Sequence, residues 1–189
     1  MQKDKDMTRR SIIRIFFGTL LLGASFTVQA GSYWGVGLGR GSWDLEVTPL
    51  TPDFSLEHSA AFRLFLGFRE NNLGGEMEIS YSEHDWKGLP NASHTAVNLV
   101  FSGLAYLPLS VNFELYGKLG LNFWTTSVDF FGINYDGGDG IDFMAGVGAR
   151  YIISGNIGVR LEFQSLPGLD DGIDKGDMTL TTANIEIGF

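Results

Sequence analysis

Cysteine is absent from the 189-residue chain. That excludes disulfides and lipid attachment through an acylated cysteine, so an exported form must be stable without cross-links. Histidine occurs only at His58, His84 and His94. Basic residues are outnumbered, 13 Lys and Arg against 22 Asp and Glu. That balance argues against nucleic acid as a partner. Proline is scarce too, and none of Pro49, Pro52, Pro90, Pro108 and Pro167 interrupts an alternating run. After the first thirty residues, no stretch is apolar enough to cross a membrane as a helix, which takes ~20 residues.

Those first thirty residues have their own logic. Arg9, Arg10 and Arg14 make a basic start, Ile15 to Val28 is mostly apolar, and Val28-Gln29-Ala30 resembles a cleavage site. The apolar run is short for a spanning anchor. Residues 1–30 are therefore expected to be a cleavable secretory signal peptide, with translation starting at Met1 or Met7. Residues 31–189 are then one domain. Removing the signal leaves 8 basic and 20 acidic residues, a net charge of −12.

What the chain has instead is alternation with a period of two, the strand repeat. It recurs in eight stretches, near 33–43, 60–69, 73–82, 95–107, 113–124, 141–152, 157–164 and 179–189. The fifth is the clearest. Phe113, Leu115, Leu119, Leu121 and Phe123 fall opposite Glu114, Tyr116, Lys118, Gly120 and Asn122. Connections alternate between long (44–59, 83–94, 125–140, 165–177) and short (70–72, 108–111, 153–156). An even number of strands, long loops at one end and tight turns at the other predict an all-β, eight-stranded antiparallel up-and-down transmembrane β-barrel. In a soluble barrel the apolar face would point inward. Here each strand has enough apolar residues on one face to cross hydrocarbon, and Tyr33, Trp34, Phe68, Tyr81, Phe123 and Tyr151 suit the membrane interfaces.

The other face gathers charge. Arg63, Arg69, Glu76, Glu78, Glu114, Lys118, Arg150, Arg160, Glu162 and Glu186 all lie within a few residues of the short turns. They are expected to form one layer of five acids and five bases in the turn-side half of the lumen. An eight-stranded barrel is just wide enough for side chains to fill. The layer therefore reads as a closed salt-bridge core, with a narrow or gated solute path as the alternative. Hairpin counting puts Arg69 near Glu76, Arg63 near Glu78 and Ser80, and Arg160 and Glu162 near Glu186.

Several pieces carry a family resemblance. They are Gly67-Phe68-Arg69, Leu73-Gly74-Gly75-Glu76, Leu115-Tyr116-Gly117-Lys118-Leu119-Gly120, Gly146-Val147-Gly148 and Arg160-Leu161-Glu162-Phe163. In order and spacing the chain resembles the small eight-stranded outer-membrane barrels related to the OmpA membrane domain and to OmpX. The last strand, with Ile185, Ile187 and terminal Phe189, resembles their assembly signal. The resemblance implies a bacterial outer-membrane address, with outer-membrane lipid and lipopolysaccharide around the barrel. It also implies the assembly machinery as a partner during biogenesis. It does not name an activity or an extracellular ligand.

Chemistry beyond this is thin. Asp136, Asp139 and Asp142, and Asp170, Asp171, Asp174 and Asp177, offer carboxylates to a hard cation. Neither run fits an EF-hand loop, so both read as solvated acidic loops, and no metal or cofactor is expected. A lipid A-modifying enzyme would need a nucleophile beside a base. His58-Ser59 and Ser93-His94 are adjacent in sequence, and neighbours on a strand point to opposite faces. No catalytic residues are expected. The expected role is structural or surface interaction through exposed acidic loops, with a channel or a lipid A-modifying enzyme as rivals.

Overall fold

The computed structural model describes residues 31–45, 59–85, 92–130, 133–170 and 175–188. The domain is a closed antiparallel barrel of eight strands in sequence order, β1 pairing with both β2 and β8. The strands are β1 (Ser32–Leu45), β2 (Ser59–Glu70), β3 (Leu73–Asp85), β4 (Ala92–Pro108), β5 (Phe113–Phe130), β6 (Ile133–Ser154), β7 (Ile157–Asp170) and β8 (Lys175–Gly188). Closure leaves no open edge, which a strand in hydrocarbon cannot tolerate.

The alternation in sequence becomes the two faces of the wall. Trp34, Leu38, Phe62, Leu119, Phe143 and Leu161 point outward and are exposed, while Tyr33, Arg63, Lys118 and Glu162 point inward and are buried. Tyr33 departs from its expected place at the lipid interface. It follows Ser32 and precedes outward Trp34, so the pleat turns its ring into the lumen. The β2–β3 turn is tight, with Asn71 at φ 55°. Asparagine tolerates that left-handed conformation better than most residues. Arg69 Nε donates to the Asn71 carbonyl oxygen at 2.6 Å and clamps the turn.

The strands run further toward the loop end than alternation alone suggested. β5 and β6 stay paired from Phe113↔Tyr151 to Phe130↔Ile133, with one irregularity between Thr125 and Ser127. Most of the expected 125–140 loop is therefore a hairpin. Similarly, β7 continues to Asp170 and β8 begins at Lys175, with a register shift between Leu166 and Leu169 around Pro167. A proline lacks the N–H that a regular ladder needs there. A bilayer needs only ~9–11 residues of tilted strand. The 22 residues of β6 project beyond it, where both faces are wet and alternation loses its cause.

Candidate functional site in the barrel lumen

The inward positions of the turn-side half bring the expected charges together. Arg63 Nη2 lies 2.8 Å from Glu76 Oε1 and 2.9 Å from Glu78 Oε2, and its Nη1 lies 2.9 Å from Glu162 Oε1. Lys118 Nζ reaches the same three carboxylates at 2.6, 2.7 and 3.2 Å. Arg160 bonds Glu76 at 2.7 Å, Glu162 at 3.1 Å and Glu186 at 3.4 Å. The side chains of Arg63, Lys118, Arg160, Glu76, Glu78 and Glu162 are fully buried. Three cations thus interleave with the three fully buried carboxylates, and Glu186, which also reaches Arg160, is balanced by Arg150. That balance is what makes the layer tolerable, because an unpaired buried charge costs several kcal/mol.

The Glu76, Glu78 and Glu162 oxygens lie within 4.8 Å of one another. Such a trio could hold a hard cation. Here Lys118 and Arg63 sit among the oxygens and supply the positive charge from the chain itself.

Nearer the turns a second set is less deeply buried, with the Arg69 and Arg150 side chains about one-fifth exposed and Glu114 and Glu186 buried. Glu114 accepts from Arg69 at 2.6 Å and from Arg150 at 3.0 Å, and Arg150 also pairs with Glu186. Arg69, Arg150, Tyr106 and Asn71 line a pocket of about 430 Å³ at that end. Arg69 therefore meets Glu114 and not Glu76, contrary to hairpin counting. Gly74 stands opposite Arg69 and fills none of the lumen, and the guanidinium crosses above the Tyr106 ring, 4.2 Å from its centroid. Arg63 meets Glu78 as counted, and Arg160 meets Glu186.

Tyrosines complete the layer; alternation placed Tyr116 on the charged face but not Tyr33 or Tyr106. Tyr33 OH donates to Glu76 Oε2 at 3.0 Å and lies 3.1 Å from Tyr106 OH. Tyr116 OH donates to Glu162 and accepts from Arg160 Nε at 3.0 Å. Arg160 also stacks 4.6 Å from the Tyr116 centroid and 4.8 Å from that of Phe65. These rings occupy space that glycines leave. A Cβ on Gly67 would strike Tyr33, one on Gly148 would strike Tyr116, and one on Gly35 would strike Phe65.

Above the charges the lumen changes character. Gln164 Nε2 donates to Glu78 at 2.8 Å, and Asn122 donates to Asn98 at 3.1 Å. Around the asparagines and toward the loop end lies an apolar cluster of Ala61, Ala96, Val100, Trp124, Met144, Leu166, Met178 and Leu180, each at most 5% exposed. Strand parity could have found it. Leu180 and Met178 continue the inward series of Glu186, Asn184 and Thr182, and Val100 lies between Asn98 and Ser102. Ser93 and His94 are consecutive on β4, and His94 is buried on the lumen side. Ile185 and Ile187 are on β8, while Phe189, His58, Asp171 and Asp174 lie outside the described residues.

A closed eight-stranded barrel, apolar outside and charged within, now stands beside a family match. Residues 17–189 match the outer membrane protein beta-barrel domain family. The chain belongs to that family. It is a bacterial outer-membrane protein that crosses the membrane with its strands. Among solved structures, Neisserial surface protein A is similar over 85% of this chain and 98% of its own, at 14% identity and a TM-score of 0.70. The attachment invasion locus protein Ail of Yersinia pestis matches over 84% of this chain and 100% of its own, at 14% identity and 0.56. OprG from Pseudomonas aeruginosa matches over 85% and 94%, at 14% identity and 0.52. At such identities the likeness is one of fold. No curated protein sequence matches the chain.

Proposed function

We propose that this barrel acts in envelope structure and surface contact, with a closed lumen and with its outward connections as the contact surface. The observation that carries the reading is the double filling of the lumen. The neutral charge layer is fully buried, and the apolar cluster lies above it. Eight strands leave little room beyond packed side chains. A solute path would have to displace both. The outer-membrane lipid and lipopolysaccharide fit the apolar outer face. The assembly machinery fits as the partner that would read the stripe of Ile185, Ile187 and Phe189. Catalysis has no support in the pairing of Ser93 with His94, which face opposite sides of β4.

Charge suggests the kind of surface partner. Ail has been seen with the heparin analogue sucrose octasulfate, a polyanion. The sequence of this chain instead places Asp136, Asp139, Asp170 and Asp171 in its two most acidic runs. Complementary potential favours a cationic partner and opposes a sulfated one. The test presents the barrel, in nanodiscs, to a cationic peptide surface and to a heparin surface. Retention on the cationic surface is expected, and is lost when these four Asp are changed to Asn. Retention on heparin alone would overturn the reading.

A further inference from the structure

His84 and His94 stand directly opposite each other on β3 and β4, near the loop end of the barrel. Ten positions and a connection separate them in sequence, yet the hairpin brings them face to face on the lumen side. Both are buried, at 0% and 2% exposure. Their ring centroids are 6.5 Å apart, with the planes at 72°. They are two of only three histidines in the chain.

We propose that this cross-strand pair is a two-imidazole site for a divalent transition-metal ion of the copper, nickel or zinc type. A metal holds an imidazole nitrogen at about 2.0–2.1 Å. Two such ligands put their ring centroids about 5 Å apart at a tetrahedral angle and about 6.4 Å apart when opposed. The observed 6.5 Å lies just beyond that range, so side-chain rotation has to bring the two rings together around the ion. Strand geometry holds both rings in place, because directly opposed residues keep their Cβ atoms about 4.5–5.5 Å apart.

The chemistry selects the class of ion. Imidazole suits copper, nickel and zinc, whereas calcium and magnesium require oxygen ligands. The side chains below the pair on the same face are Ser82 on β3 and Ala96 on β4, both buried and neither cationic. The buried cations Arg63, Lys118 and Arg160 bind Glu76, Glu78 and Glu162 in the turn-side layer. The domain's excess of acidic over basic residues draws cations toward it. Because both rings are buried, the remaining positions of the ion call for water that enters with it from the loop end. The competing reading is a pair of rings packed as neutral filler.

The test uses tag-free barrel, washed with chelator, folded in detergent and titrated with Cu²⁺. One equivalent is expected to bind, with an electron paramagnetic resonance spectrum showing coupling to imidazole nitrogens. His84→Ala and His94→Ala should each weaken binding at least ten-fold, and His58→Ala should leave it unchanged. Heat-modifiable gel mobility reports whether each variant has folded. If either alanine variant does not fold, the double variant His84→Asn/His94→Asn replaces it. Zn²⁺ should then raise the melting temperature of the wild type and not that of the double variant. Equal copper binding by the wild type and the double variant would overturn the site. So would a copper spectrum without imidazole coupling, or loss of the site in His58→Ala alone.

Discussion

Arg63 touches three carboxylates within 2.9 Å, and Glu78 answers both Arg63 and Lys118. Removing one member strands the others in a desolvated layer. Glu78→Ala should therefore destabilise the barrel by about 3–5 kcal/mol, the scale for breaking a buried pair. Removing Arg63 as well should recover part of that loss, so the double-mutant cycle in detergent unfolding should be non-additive. Strict additivity would mean that the two are not paired. Glycines give a second contrast at this scale. A Cβ on Gly120 would run into the Phe101 and Ser102 backbone, whereas one on Gly117 meets nothing within 4 Å. Gly120→Leu should cost about 1–3 kcal/mol by overpacking. Gly117→Leu should be near neutral in the same unfolding assay. The sequence revealed the charges at this scale, because parity and distance from the turns locate a side chain. It did not reveal which carboxylate Arg69 takes, since that depends on the space above Gly74 and on the ring of Tyr106.

At the scale of the element, β5 was the most legible strand because lipid on one side and charge on the other enforce its alternation. Leu119 lies on its outer face at 71% exposure, directly opposite Ala145 of β6. In the bilayer that exposure is to hydrocarbon. Leu119→Arg should cost about 2–4 kcal/mol in lipid, as for a charge near the midplane of a barrel. Folding in bilayers as stable as wild type would invert the assigned faces. The same logic explains where strand ends were misjudged. The extended β5–β6 hairpin above the membrane is wet on both faces, so backbone pairing continues there without a hydrophobic pattern to announce it. His84 and His94 were legible as residues but not as a pair. Both fell inside the expected 83–94 connection, and they meet because β3 and β4 stay paired as far as Asp85↔Ser93.

For the whole molecule, the wall is closed, and the proposed function adds closure of the lumen. The wall closes through the β1–β8 ladder, from Tyr33↔Gly188 to Leu45↔Gly176. That much was legible from an even number of alternating strands. The filling of the lumen was half legible. The charge layer could be seen from parity, but its neutrality as a fully buried set of three against three needed the register of every strand. The apolar cluster above it went unread because inward apolar residues on β4, β7 and β8 look like any other hydrophobic position until the faces are assigned. In the proposed function these two layers together seal the barrel. Single-channel recording of the purified wild-type barrel in planar bilayers tests it most directly. A silent membrane is expected, with no discrete conductance steps at either polarity. Reproducible ohmic steps from the folded wild-type protein would contradict it.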